Sequence, residues 1–214
     1  MASQVGKIPK TMKAWVAFGA GRIEDVLRLE TDWPTPAPPR AGEVLIRVSY
    51  VAVNPGDAKM MVKTIPFRKT CIAGMDFAGE VVQVGGGSSS SGFPTALRVG
   101  MIVAGTVPLS HILRGVGSLA EYLVVPAHEV VEKPDALNES AASGLLGIVG
   151  QTSVALLRAA NLQKGDTVLV NGASGGVGSV LIQALRGIGV HVTGLCSGKN
   201  APLVQRLGAE EVRN

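Results

Sequence analysis

A glycine-rich turn between an apolar run and an amphipathic helix constrains the fold of this chain more than any other feature. The apolar run covers residues 167–171, and the turn reads Gly-Ala-Ser-Gly-Gly-Val-Gly over residues 172–178. Apolar residues then recur at the spacing of one helix face, at Val177, Val180, Leu181, Ala184, Leu185 and Ile188. A strand, a glycine turn and a helix in this order predict the opening of a doubly wound parallel sheet.

The same turn predicts a binding site for a nucleotide pyrophosphate. Glycines let the backbone approach phosphate oxygens closely, and free N–H groups at the start of the helix point at them. We expect the last glycine to allow close packing of the helix on the strand. The alternative interpretation is a tight turn without a ligand. The predicted cofactor-binding residues are Ala173, Ser174, Gly175, Gly176, Val177 and Gly178.

The residues after the second strand predict which nucleotide is bound. Residues 190–196 are expected to form a parallel strand buried on both faces, and Ser197 and Lys199 follow it. Sites for NAD usually carry an acid ~20 residues past the glycines, and none stands here. A hydroxyl and an ammonium suit a 2′-phosphate, so the sequence predicts NADPH. The alternative is that Lys199 is a solvated residue near a helix that runs from Pro202 to Leu207, before a third strand at Glu211.

The first part of the chain has a different pattern, with short β-rich runs separated by turn signals. It predicts an all-β, barrel-like module with strands at 12–16, 43–53, 78–84, 101–104 and 120–125. An extended proline-rich connector is expected at 33–39 and a flexible hairpin loop at 85–92. A helical pattern over 141–160, interrupted by glycines, follows a predicted domain boundary between residues 137 and 138.

Composition and charge exclude several classes of protein. With 46% hydrophobic and 17% charged residues the chain can build a core, and a net charge of +4 without aromatic interleaving does not indicate nucleic-acid binding. The uncharged stretch 140–157 carries too many polar residues and glycines for a membrane span. Two distant cysteines and no recognisable signal peptide favour a reducing compartment, the cytoplasm or alternatively the mitochondrion.

Several motifs occur in the order in which one superfamily carries them: residues 12–14, 42–48, 54–59, 74–81, 117–122, 150–152 and 172–178. In these motifs the chain resembles the medium-chain dehydrogenase/reductase superfamily, and within it the zeta-crystallin-like quinone oxidoreductase and enoyl-reductase branch. The resemblance implies a mixed fold, α/β plus β. A GroES-like β-barrel module over 1–137 would precede a partial Rossmann domain over 138–214, with the active site between them.

The resemblance also assigns roles to three residues. Asn54 matches an asparagine near the nicotinamide, Lys59 ends the Asn-Pro-x-Asp-x-Lys motif, and Thr152 matches a threonine that faces the cofactor. Asn54 and Lys59 are therefore the catalytic candidates. The alternatives are turn chemistry at Asn54 with Asp57 as a local cap, and a Thr152 hydroxyl bonded to its own helix backbone.

The same comparison argues against a metal. Zinc alcohol dehydrogenases that resemble this fold carry a cysteine near position 54, a His-Glu pair near 75–80 and four further cysteines. This chain has Asn54, Met75 and Asp76 at those places and 2 cysteines in total. The three histidines are scattered, and His191 is expected within a buried strand. The sequence predicts no metal site.

The implied function is NADPH-dependent hydride transfer to a small quinone or α,β-unsaturated carbonyl compound without zinc, and a homodimer is compatible with it. The alternative is a non-catalytic NADPH-binding or interaction protein, or an inactive shortened form. Relatives continue beyond the position of Asn214, so the Rossmann sheet is expected to be incomplete. Self-association and weak NADPH binding are expected, with apolar surface exposed at Val168, Val170, Val192 and Leu195.

Overall fold

A computed structural model describes residues 7–62, 68–86 and 97–214, without the side chain of residue 62. The described chain divides into two compact units, Met1–Gly147 and Ile148–Asn214. The predicted domain boundary at 137/138 lies just before a helix that begins at Glu139 and packs on the first unit. That boundary stays a prediction.

The first unit is built mainly of antiparallel strands. Its elements are β1 (Thr11–Phe18), α1 (Ile23–Val26), β2 (Leu27–Pro34), β3 (Glu43–Tyr50), α2 (Pro55–Val62), β4 (Thr70–Ile72), β5 (Asp76–Val84), β6 (Ile102–Thr106), α3 (Leu109–Leu113), β7 (Tyr122–Pro126), a 3-10 turn (Ala127–Glu129), β8 (Val130–Glu132) and α4 (Glu139–Leu145). Five strands form a sheet in the order β7-β3-β5-β6-β8, and three form a second sheet in the order β2-β1-β4.

The core of this unit lies on the central strands of the five-stranded sheet. Strand β5 is buried at six of its nine residues, as expected for a strand with a partner on each side and a covered face. Phe77, Val81, Ile46 and Leu123 pack there in one apolar cluster. Burial of such side chains contributes about 1.5–3 kcal/mol each relative to exposure.

The second unit has the predicted parallel arrangement. Its elements are α5 (Ile148–Ala160), β9 (Thr167–Asn171), α6 (Gly176–Gly187), β10 (His191–Leu195), a 3-10 turn (Gly198–Asn200), α7 (Ala201–Leu207) and β11 (Glu211–Arg213). The strand order is β11-β10-β9, and both pairs are parallel. An antiparallel first unit and a parallel second unit agree with the predicted mixed fold, α/β plus β.

Helix α6 forms as predicted, but its buried face is turned from the predicted one. Gly178, Ile182 and Leu185 are its buried residues, at i, i+4 and i+7. Ile188 was expected on that face and is 48% exposed, because it follows the last helical residue. α7 ends as predicted at Gly208, whose φ is 118°.

Strand β10 corrects two predictions about burial. The strand was expected to be buried on both faces, yet burial alternates along it, and His191 is exposed at its first position. The His191 ring pairs with the Glu210 carboxylate at 2.8 Å. Val170 and Val192, which were expected to be exposed, are buried, with 5% and 1% of their surface exposed. The exposed apolar side chain is Leu169, at 59%, on the opposite face of β9.

Other differences in the first unit concern strand ends and short helices. Strand β3 stops at Tyr50, earlier than predicted, because the chain turns into α2, and strand β2 was not predicted. The helical stretch after Asn138 breaks at residues 146–147 into α4 and α5. Most of the predicted flexible loop, 87–92, lies outside the described residues.

No single helix among the described residues is long and apolar enough to cross a membrane; α4 and α5 pass such a test only as a pair, by length and composition.

Candidate functional site

The glycine turn joins β9 to α6 and leaves the start of the helix open. Gly175 is the N-terminal cap residue, and no side chain caps the helix there. The first N–H groups of an α-helix lack partners within the helix. The Gly175 N–H donates to the Gly172 carbonyl oxygen at 2.9 Å, but Gly176 is exposed, so the N–H groups from Gly176 onward can meet an anion from outside the chain.

The glycines of the turn have different tasks. Gly172 has a φ of 71°, which only glycine adopts without strain. A Cβ on Gly178 would lie 2.4 Å from the carbonyl oxygen of Gly172, so this glycine allows α6 to pack tightly on the turn, as predicted. At Gly176 the nearest atom would be 3.5 Å away, in Val149. Gly176 is therefore not required by packing, and close approach of a ligand would explain it.

The segment after β10 lies beside this turn. The N–H of Ala173 donates to the carbonyl oxygen of Leu195 at 3.0 Å, which extends the pairing of β9 and β10. Ser197 and Lys199 follow and are both exposed. No carboxylate occurs between Ser197 and Asn200, so the charge there is positive.

Thr152 lies on α5 and is partly buried. Its hydroxyl forms no hydrogen bond within the described residues, whereas the neighbouring Ser153 hydroxyl donates to the Val149 carbonyl at 2.9 Å. The backbone bond considered for Thr152 is thus made by Ser153. Val149 is the residue nearest to a Cβ on Gly176, and Thr152 follows Val149 by three positions on the same helix face. The role of Thr152 towards a cofactor stays a prediction.

A second group of polar residues surrounds Asp76 in the first unit. Asp76 begins β5 and is fully buried, directly opposite Thr106 at the end of β6. The Thr106 hydroxyl donates to Oδ1 of Asp76 at 2.9 Å, and the Asn54 amide donates to Oδ2 at 2.8 Å. The Ser118 hydroxyl donates to the Asp76 carbonyl oxygen at 3.0 Å. A Cβ on Gly147 would lie 2.3–2.7 Å from all three carboxyl atoms of Asp76, so only glycine fits there.

Asn54 is oriented by this network. Its side-chain nitrogen donates to Oδ2 of Asp76 and also to the Ala52 carbonyl at 3.3 Å. Both amide hydrogens are thereby directed at acceptors, which leaves Oδ1 as an acceptor that has no partner within the described part of the chain. Asn54 can therefore offer an oxygen to a ligand.

Asp57 is a local cap, as the alternative interpretation proposed. Its Oδ2 accepts a hydrogen bond from the backbone N–H of Asn54 at 2.6 Å, in the manner of a capping box at the start of α2. Burial raises the pKa of the Asp57 carboxyl; the Asn54 N–H opposes this, and the charge of Asp76 adds to it.

Lys59 is not brought into the Asp76 network. It is exposed on α2, and no hydrogen bond or ion pair of its side chain occurs among the described residues. Within those residues there is also no group of three or more His, Cys, Asp or Glu side chains arranged to hold a metal ion.

Sequence reasoning missed Asp76, Thr106, Ser118 and Asn200 as site residues. The signal was present for Asp76, which stands in the motif at 74–81, but its partners come from strands that are distant in sequence. Asn200 donates to the Ser174 hydroxyl oxygen at 2.9 Å, a contact between the two turns that follow β9 and β10.

A family model described as the alcohol dehydrogenase GroES-like domain matches residues 40–135. Among curated relatives, a medium chain reductase from Acremonium sp is 34% identical over 94% of this chain and 60% of its own length. A trans-enoyl reductase from Aspergillus clavatus is 37% identical over 88% of this chain and 54% of its own length. The chain thus spans little more than half the length of these relatives.

Solved structures have the same fold. The quinone oxidoreductase from Coxiella burnetii superposes with a TM-score of 0.83 at 28% identity, over 96% of this chain and 62% of that protein. A mycobacterial protein solved in complex with NADPH gives 0.79 at 29% identity, over 95% and 59%. The matched GroES-like module, the parallel second unit and these relatives together establish that the chain belongs to the medium-chain dehydrogenase/reductase superfamily.

Proposed function

We propose that this chain carries the NADPH-binding site of an oxidoreductase that transfers a hydride to a quinone or an α,β-unsaturated carbonyl compound without zinc. The single observation that carries the proposal is the uncapped start of α6 beside an exposed segment that contains Ser197 and Lys199 and no carboxylate. Relatives and structural neighbours named as enoyl reductase and quinone oxidoreductase support the reaction type.

The residues fit the proposed cofactor. The N–H groups at the start of α6 suit a pyrophosphate, and Gly176 leaves room for its close approach. Ser197 and Lys199 would hold a 2′-phosphate by a hydroxyl and an ammonium, and a carboxylate that would repel it is absent between residues 197 and 200. The neighbour solved with NADPH supports the same choice over NADH.

NADPH supplies a hydride when it is bound. A quinone or conjugated carbonyl compound accepts it without a metal Lewis acid, because conjugation carries the developing charge onto an oxygen atom that solvent can protonate. The chain contributes binding and orientation. Because both amide hydrogens of Asn54 are engaged, this side chain can bind a ligand only by accepting a hydrogen bond at Oδ1, for example from the carboxamide of a nicotinamide. Asn54 is therefore proposed to orient the cofactor, and Lys59 remains a predicted catalytic residue without a structural argument.

The experiment is a comparison of binding with turnover on the chain of 214 residues. Titration with NADPH and NADH should give the tighter complex with NADPH, and NADPH should be consumed with benzoquinone or cyclohexenone in the presence of a chelator. Binding without consumption of either substrate would support the non-catalytic alternative. Tighter binding of NADH would contradict the assignment of Ser197 and Lys199.

A further inference from the structure

Asn200 stands at the start of α7 but does not cap that helix. Asparagine is among the favoured N-terminal cap residues because its side chain can accept a hydrogen bond from the first turn. Here no such bond is formed, and a proline occupies one of the first two helical positions. The side chain of Asn200 is directed elsewhere.

The Asn200 amide nitrogen donates to Oγ of Ser174 in the glycine turn at 2.9 Å. Its backbone N–H donates to the carbonyl oxygen of Ser197 at 2.8 Å and closes the 3-10 turn that contains Lys199. Asn200 therefore holds the turn that carries Ser197 and Lys199 and also ties it to the glycine turn. The side-chain bond joins two partly buried residues, since Ser174 and Asn200 are each intermediate in exposure.

The bond also determines what the Ser174 hydroxyl can do. A serine oxygen that accepts a hydrogen bond keeps its own proton for donation. With Asn200 as the donor on one side, the Ser174 hydroxyl can donate its proton to an anionic oxygen held at the turn. A carboxylate at position 200 would instead accept the hydrogen bond of the Ser174 hydroxyl and would repel a phosphate.

We propose that Asn200 is a positioning residue for selection of a nucleotide with a 2′-phosphate, and that it acts by fixing the distance between the glycine turn and the Ser197–Lys199 segment. This inference rests on the proposed function. A dinucleotide with a 2′-phosphate must meet both turns at once, whereas NADH has no phosphate to place at the Ser197–Lys199 segment. If this distance is no longer fixed, the affinity for NADPH therefore falls more than the affinity for NADH, because a preorganised site binds its ligand with a smaller ordering cost.

The test is titration of the full chain with NADPH, NADH and 2′,5′-ADP, a probe that lacks the nicotinamide. Asn200→Ala should weaken the binding of NADPH and of 2′,5′-ADP about tenfold, and the binding of NADH less than about threefold. Ser174→Ala removes the same bond and also the hydroxyl that can donate to a phosphate at the glycine turn, so it should weaken binding of both dinucleotides and of NADPH more than of NADH. The double variant should be no worse than Ser174→Ala alone, as expected for two residues that share one interaction. Ser174→Thr keeps the hydroxyl and should preserve the preference. Gln205→Ala, which removes an exposed amide from α7, is the matched control.

Three outcomes would overturn the inference. Equal losses for NADPH and NADH in Asn200→Ala would assign Asn200 to folding of the unit, and additive losses in the double variant would show that the two side chains act separately. An unchanged preference in both single variants would show that the bond has no role in selection. If the unsubstituted chain bound neither dinucleotide, the proposed function itself would fail, which is a distinct result. Thermal melting of each variant checks the fold.

Discussion

The side-chain amide of Asn54 donates a 2.8 Å hydrogen bond to Oδ2 of the fully buried Asp76. The Thr106 hydroxyl binds the other carboxylate oxygen at 2.9 Å, so both oxygens of one buried acid are used to hold donors. A buried carboxyl group of this kind is tolerated only where hydrogen bonds compensate for lost hydration. The relationship links the orientation of Asn54 to the stability of the first unit.

Replacement of Asp76 by asparagine should therefore destabilise the chain. An amide has one acceptor oxygen, so its NH₂ group would either face the Asn54 NH₂ donor to donor or turn to the Thr106 hydroxyl, which would then have to accept and could no longer donate to residue 76. We expect Asp76→Asn to lower the free energy of unfolding by about 1–3 kcal/mol. Urea denaturation measures it, with Thr106→Val, which removes one donor only, as the milder comparison. An Asp76→Asn variant as stable as the unsubstituted chain would contradict the role of this network.

A pair of glycines near the end of α4 provides a matched test of the space around the same carboxylate. A Cβ at Gly147 would lie 2.3 Å from Cγ of Asp76, whereas a Cβ at Gly144 would lie 3.7 Å from Ala52. Gly147→Ala should cost about 1–3 kcal/mol by overpacking against a side chain that cannot move away. Gly144→Ala should be neutral or stabilising by up to about 1 kcal/mol, because alanine favours helix. Equal effects in thermal or urea unfolding would show that the Asp76 side chain yields.

Three glycines of α6 separate ligand approach from packing. Gly176→Ala has room inside the protein, so the fold should persist while NADPH binding falls at least about tenfold, because the methyl group obstructs a close phosphate. Gly178→Ala should instead lower stability by about 1–3 kcal/mol, since its Cβ would lie 2.4 Å from a backbone oxygen. Gly187→Ala, in open space at the other end, is the control for both measurements.

The outcome for Gly176 bears directly on the nucleotide proposal. Titration and melting are measured on the same preparations, so that loss of binding can be told from loss of fold. Undiminished NADPH affinity in a folded Gly176→Ala variant would mean that no phosphate approaches this turn closely.

Local sequence patterns predicted more of the second unit than of the first. The order of apolar run, glycine turn and amphipathic helix predicted β9, the turn and α6, because each of these elements depends on neighbours in sequence. The Asp76 network could not be predicted this way, since Asn54, Thr106 and Ser118 reach Asp76 only through strand pairing. The burial of Val170 and Val192 was misjudged for a related reason. Ile182 and Leu185 of α6 pack in one apolar cluster with these two valines and cover one face of the sheet.

Charge reversal at Lys199 tests the choice between the two dinucleotides. Lys199→Glu places a carboxylate where a 2′-phosphate would lie, so NADPH affinity should fall about a hundredfold while NADH changes less than about threefold. Arg206→Glu makes the same charge change at an exposed position of α7 and should leave the ratio of the two dissociation constants unchanged. A parallel loss for both nucleotides would remove Lys199 from the 2′-phosphate site.

The pH dependence of stability should report on Asp57. Its pKa is raised above the ordinary value of 3.8, chiefly by burial, so the native state binds more protons than the unfolded chain between the two pKa values. Asp57 therefore does not lower the free energy of unfolding below pH 3.8, and it lowers that free energy increasingly as pH rises from there through the native pKa. Asp57→Asn keeps an oxygen for the Asn54 N–H but cannot ionise. The difference in unfolding free energy, variant minus unsubstituted chain, should increase with pH across that window and then level off. Urea titrations at a series of pH values from about 3 to about 7 measure it, and carboxylates that do not interact with Asp57 cancel in the difference. A difference that stays constant, or that decreases with rising pH, would show that the folded environment does not disfavour the ionised Asp57.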